Sequence, residues 1–167
     1  MVKLIFNADD FGISQGVNEA IFRAHTQGVL NSTSIMITLK YVPQALELAK
    51  QMPALKIGLH ANLTNEKSVL PPNEIPLLVD ENGNFKHGFV NLAVLSVIKP
   101  RELKRQVKAE IKAQIEKALS YGLNLTHLDS HRHVHMIPTI FKAFMELCDE
   151  YNIPRLRFVN ENPLLTI

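Results

Sequence analysis

A chain of 167 residues with 46% hydrophobic and 20% charged side chains has the make-up of a globular domain. At that length it can bury roughly 70% of its unfolded surface without covalent staples. A net charge of +2 from dispersed basic residues leaves no nucleic-acid footprint, no apolar run reaches a membrane span, and the single Cys148 excludes an internal disulfide.

The N-terminus runs into a strand signal at 4–8 without the apolar core and cleavage site of a secretion signal, so a cytoplasmic protein is expected. Asp9-Asp10-Phe11-Gly12 reads as a turn. Ser14 is the expected N-cap of a helix with the apolar stripe Val17, Ala20, Ile21 and Ala24, and Gly28 its stop. A second strand at 34–39 leads to a helix opened by Pro43, and a third strand covers 56–63. Residues 64–88 hold Pro71-Pro72, Pro76 and Asn82-Gly83. They read as a long loop with a small hairpin at Asn82-Gly83, placed to cover a site near His60.

Pro100 starts the clearest helix. Leu103, Val107, Ile111, Ile115 and Leu119 recur every four residues, and the charges, including Glu102, Glu110 and Glu116, are expected on solvated faces up to Gly122. A fourth strand at 126–129, a helix opened by Pro138 and the start of a fifth strand at 156–158 follow. Cys148 lies in the apolar stretch of that last helix and reads as a small buried hydrophobe.

Alternating strands and helices predict an α/β fold with a parallel sheet, as one domain over 1–167. A (β/α) barrel and an open doubly wound sheet give the same local pattern. The lack of a Gly-x-Gly-x-x-Gly turn after the first strand speaks against dinucleotide binding. Four or five strands do not close an eight-stranded barrel. The expectation is therefore an open sheet, a sheet covered by a partner, or part of a longer protein.

In such folds the carboxyl ends of the strands gather at one face, where chemistry is built. Asp10, His60 and His131 fall at the ends of three different strands, so they can meet around one ion. Asp9 and Asp10, adjacent on an extended segment, are expected to point opposite ways, one toward an ion and one to another task; turn chemistry explains the pair equally well. Asp10-Phe11-Gly12 also matches the magnesium-binding tripeptide of kinases. That reading fails because no Gly-rich phosphate loop or His-Arg-Asp loop accompanies it. His127, His131, His133 and His135 occupy alternate positions, so an extended segment puts them on one face, a cluster typical of metal sites, with Asp129 to ligate or orient a ring. His25 and His87 read as surface residues.

Three motifs taken together resemble the YdjC family of carbohydrate deacetylases, which includes the chitooligosaccharide deacetylases. They are Asn7-Ala8-Asp9-Asp10-Phe11-Gly12, Gly58-Leu59-His60, and Thr126-His127-Leu128-Asp129-Ser130-His131-Arg132-His133-Val134-His135. The resemblance implies a distorted (β/α) barrel, incomplete in this chain because family members are considerably longer. It implies a divalent cation, Mg2+, ligated by Asp10, His60 and His131, with Asp9 as general base. It further implies removal of acetyl groups from N-acetylated oligosaccharides by a homodimer. His133 or His135 is the expected proton donor to the leaving amine. On ligand softness, two imidazoles and one carboxylate suit Zn2+ or another transition metal better than Mg2+. Two rival readings stay open: a phosphoesterase, disfavoured because Arg132 is the only basic residue within the motif, and a truncated metal-binding domain without turnover.

Overall fold

The computed structural model describes residues 4–159. Four strands, β1 (Asn7–Phe11), β2 (Ser32–Ile35), β3 (Lys56–Ala61) and β4 (Leu128–Ser130), pair in parallel in the order β1-β2-β3-β4. The order is that of the sequence, with no reversal. Every crossover therefore steps the same way, and right-handed connections put the helices on one face. This is the strand order of a (β/α) barrel rather than of a doubly wound sheet, whose order reverses at a switch point. The anticipated fifth strand at 156–158 is present only as one parallel bridge, Leu128 with Leu156.

The helix starts follow local chemistry. Helix α1 (Gln15–Thr26) begins at Ser14, whose Oγ accepts from the Val17 N–H at 3.2 Å. Its last turn is closed by Gln27, one residue before the expected Gly28. Helices α2 (Val42–Lys50), α4 (Pro100–Ser120) and α5 (Pro138–Glu150) each carry proline in the first turn, where the missing N–H would be unpaired anyway. Helix α3 (Phe89–Ile98) has no counterpart among the expected elements. Its apolar residues fall on every face, so no 3.6-residue stripe marks it, and Val90, Val94, Val97 and Ile98 are exposed.

On α4, Leu103, Val107, Ile111 and Ile115 are fully buried, whereas Leu119 is 43% exposed and Ala118 takes its place inside. A strict four-residue repeat gains about 40° per step on a helix of 3.6 residues per turn, which carries the stripe off the core by its last member. The same helix buries Gln106, Glu110 and Gln114 completely. Glu110 is thus not on a solvated face as expected; it faces the loop after β3. In that loop the Asn82-Gly83 turn is held by Asp80, whose Oδ1 accepts from the N–H groups of Asn82 and Asn84 at 2.9 Å each, but the flanking ribbon amounts to single bridges.

Phe11, Ile35, Leu59 and Leu128, one from each strand, are fully buried and join Ile111 and Phe144 in the core between sheet and helices. A cavity of about 900 Å³ borders the sheet and is lined by Asn7, Ser32, Lys56, His127, Asp129 and Arg157 among others. Cys148 is half-buried, and burial pushes its thiol up to about 11, which suits a packing role. No helix among the described residues is long and apolar enough to cross a membrane.

Candidate metal centre

Strand β1 carries an extra residue. Ala8 pairs with Thr33, but the next pairing joins Phe11 to Ile35, and Asp10 between them has φ of 65°. Aspartate tolerates this left-handed backbone better than most residues, and bulges of this kind re-aim side chains beside active sites. The expectation that Asp9 and Asp10 point opposite ways is corrected by this bulge, which breaks the strand alternation. Asp10 groups with His60 and His131, Asp9 groups with His60 and Asp129, and in each group the ligand atoms lie within 4.8 Å of one another.

Asp10, His60 and His131 therefore converge from β1, β3 and the residue after β4. Asp10 Oδ1 lies 3.3 Å from His60 Nε2 and accepts from His131 Nδ1 at 2.9 Å. Strand β4 ends at Ser130, and a 3-10 turn, His131–Met136, replaces the extended run expected there. Its backbone reverses through two left-handed residues, Arg132 (φ 56°) and His133 (φ 53°). The four clustered histidines consequently do not share a face.

Their tasks differ. His131 enters the centre. His127 Nε2 donates to Ser34 Oγ at 3.0 Å, and that hydroxyl donates to Asp129 Oδ2 at 2.9 Å. The His127 ring packs directly under Gly58, where any Cβ would overlap it. Gly58→Ala is expected to destabilise the protein by roughly 1–3 kcal/mol through this overpacking, read as a lower urea midpoint; an unchanged midpoint would mean the ring yields freely. His135, expected as a proton donor, is fully buried; its Nδ1 accepts from Ser130 Oγ at 2.6 Å, and its Nε2 donates to the Arg157 carbonyl at 3.1 Å. Burial pushes it down to about 4, so at neutral pH it is uncharged with its one N–H committed, and the donor role does not fit it. His133 differs: its Nδ1 is buried without a partner among the described residues. His25 and His87 are both half-buried and bond the carbonyls of Leu30 and Leu77.

Sequence reasoning missed Arg157. Its Nη1 donates to both oxygens of Asp9, at 2.9 and 2.8 Å, and to Asp129 Oδ2 at 3.1 Å. No local signal marked it, since it lies 148 residues from Asp9. Asp129 thus accepts from His60, Ser34 and Arg157 together, which satisfies its buried carboxylate.

The fields follow from this wiring. Hydrogen bonds from His131 and His60 hold the Asp10 carboxyl well below the usual range. Burial works against charge on His60, but the Asp10 and Asp129 carboxylates outweigh it and raise the ring to about 9. Asp129 is lowered: burial pushes its carboxyl up, and the bond from His60, followed by that from Ser34, overcomes it.

The donor chemistry fits a divalent cation. A carboxylate and two imidazoles lie close enough to share one ion. His60 Nδ1 donates to Asp129 Oδ1 at 2.7 Å, leaving Nε2 toward Asp10, the arrangement in which a carboxylate orients a ligating imidazole. A cation must displace the proton on His60. Below about pH 9 the apparent affinity is therefore expected to fall about tenfold per pH unit lost, over the range where one proton is exchanged. The raised pKa also means that the cation-free fold gains stability from the protonated ring below pH 6.5 and loses it as pH rises through about 9. Competition titrations of Zn2+ between pH 6 and 8 check the affinity slope; a flat profile contradicts it.

The chain as a whole is similar to known proteins. The family model described as YdjC-like protein matches residues 3–166. A carbohydrate deacetylase of Thermoanaerobacter pseudethanolicus is 38% identical over 156 residues, covering 92% of this chain and 59% of its own. One from Brevibacillus brevis is 40% identical over 153 residues, covering 92% and 58%. A crystal structure from Enterococcus faecalis, provisionally described as a cellobiose-phosphate cleavage protein, superposes with a TM-score of 0.81 at 33% identity, over 97% of this chain and 60% of that one. The chain thus spans about three-fifths of the length of these relatives.

Proposed function

The chain belongs to the YdjC-like family, and from that premise we propose that it works as a cation-dependent carbohydrate deacetylase, hydrolysing N-acetyl groups of acetylated sugars such as chitooligosaccharides. The convergence of Asp10, His60 and His131 beside the Asp9–Arg157 pair is the observation that carries this reading.

Asp10, His60 and His131 would hold the cation. A bound divalent ion polarises the acyl oxygen and makes water acidic enough to be deprotonated near neutral pH. The protein supplies the rest. Asp9 takes the proton of the attacking water at its carboxylate. Arg157 fixes both Asp9 oxygens and ties them to Asp129, so the base cannot swing away. Asp129 and Ser34 keep the His60 ring in register. His133, with its unpartnered Nδ1, is the proton donor to the departing amine.

Magnesium is the cation expected from the resemblance, and two imidazole donors favour zinc; anomalous scattering at the metal edges distinguishes them. The reading also has the protein act in the cytoplasm as a homodimer, which light scattering tests. The Asp9–Arg157 pairing favours deacetylation over phosphate-ester hydrolysis, because the Arg157 guanidinium is committed to two carboxylates rather than free for a phosphate. The deciding assay is acetate release from N-acetylglucosamine oligomers, with and without chelator. Chelator-resistant release, or release of phosphate from phosphate esters alone, would overturn the proposal.

A further inference from the structure

Asn62, two residues beyond His60, turns most of its amide to the loop that follows, and its Nδ2 also donates to Thr38 Oγ1 at 3.3 Å. Its Oδ1 accepts from the Thr64 N–H at 3.2 Å and the Asn65 N–H at 3.1 Å, and its Nδ2 donates to the Asn65 carbonyl. Asn65 then reaches the centre: its Nδ2 donates to His131 Nε2 at 3.0 Å, while Nδ1 of the same ring donates to Asp10. One short turn therefore links the strand of one candidate ligand to the ring of another.

The turn is held from behind by α4. Gln114 pairs with the Asn62 backbone twice, Oε1 accepting from its N–H at 2.9 Å and Nε2 donating to its carbonyl at 2.7 Å. One turn earlier, Glu110 accepts from the Val69 N–H at 2.9 Å and the Leu70 N–H at 3.0 Å, and also from Gln114 Nε2 at 2.8 Å. Another turn earlier, Gln106 Oε1 accepts from the Leu77 N–H at 2.8 Å. Gln106, Glu110, Gln114 and Asn62 are all fully buried. The spacing of four residues puts the three helix side chains in one row. They replace the sheet partners that the loop backbone lacks.

We propose that Asn65 is a positioning residue for His131, set in place by Asn62 and by the buried row Gln106, Glu110 and Gln114 on α4. The proposal rests on the reading of Asp10, His60 and His131 as a cation site. Imidazoles that ligate metals nearly always bond an outer partner through the second nitrogen, which fixes the ring. When a cation takes the nitrogen now bonded to Asp10, the other becomes the donor. Turning the Asn65 amide over then offers it Oδ1. An amide can serve both states; an apolar side chain serves neither. Glu110 cannot be exchanged for its amide on the same terms. Three donors converge on its carboxylate, so Gln at 110 sets its own NH2 against one of them.

The test is the Co2+ dissociation constant of the full chain by titration calorimetry, with the melting temperature of the cation-free protein. Asn65→Ala is expected to weaken Co2+ by ~10–100-fold and leave the melting temperature unchanged. Asn65→Asp, which keeps an acceptor, is expected to stay within about threefold of wild type, less than the smallest loss of an outer partner. Glu110→Gln is expected to weaken Co2+ and also lower the melting temperature; if it fails to fold, the Asn65 pair still decides. Wild type that binds no Co2+ would sink the cation-site reading itself. Wild type that binds Co2+ as tightly as Asn65→Ala would sink only the role of Asn65, and equal losses in Ala and Asp variants would exclude its acceptor function.

Discussion

Asp10→Ala is expected to strip the protein of its divalent cation and of deacetylase activity together. Among the described residues, Asp10 Oδ1 is the carboxylate oxygen paired with both His60 Nε2 and His131 Nδ1, at 3.3 and 2.9 Å. Without it, two imidazoles remain, and His60 stays paired with Asp129 at 2.7 Å. The loss of affinity is expected to exceed the roughly 10–100-fold that follows removal of an outer-sphere partner, because a ligand itself is gone. The cation-free fold should survive, since Asp10 is partly exposed and the buried His60–Asp129 pair is untouched. Metal content after dialysis, measured beside acetate release, checks this. Full occupancy in Asp10→Ala would remove the residue from the ligand set, and with it the main support for the function proposed.

Asp9→Asn is expected to reverse that pattern: cation retained, turnover reduced on the order of a hundredfold or more, the scale of a lost general base. The amide keeps the size of the carboxylate and one acceptor for Arg157, and Arg157 keeps Asp129 Oδ2 at 3.1 Å. The centre should therefore stay assembled. Loss of the cation in this variant would move Asp9 into the ligand set, a possibility the second group, Asp9 with His60 and Asp129, makes worth measuring. Turnover at the wild-type rate would end its role as base.

Much of this architecture was legible because it is encoded locally. Ser14, Pro43, Pro100 and Pro138 announce helix starts through backbone chemistry that depends on few neighbours. The convergence of Asp10, His60 and His131 was legible because parallel strands bring their carboxyl ends together whatever lies between. What stayed hidden depends on tertiary contact. A bulge at Asp10 cannot be read from Asp9-Asp10, which suits a turn equally well. Glu110 looks solvated in a row of charges, and only the loop opposite explains why it is buried. His127 and His135 share the motif of His131 but serve as struts, because the turn after β4 sends alternate residues apart. Arg157 acts on a carboxylate from the other end of the chain. Helix α3 lacks the polar face that would have betrayed its period.

Strands β1 and β4 stand two whole strands apart, yet side chains at their ends touch at 2.9 Å. In a flat sheet, three spacings of about 4.8 Å would hold the backbones at those ends some 14 Å from each other, with side chains standing perpendicular to the sheet rather than leaning across it. The sheet must therefore be rolled, and the centre closes across the mouth of the roll like a clasp. A clasp that grips only the rolled form favours that form, by as much as rolling favours the grip. Changes deep among the helices that unroll the strands should thus appear first as a leaking ion.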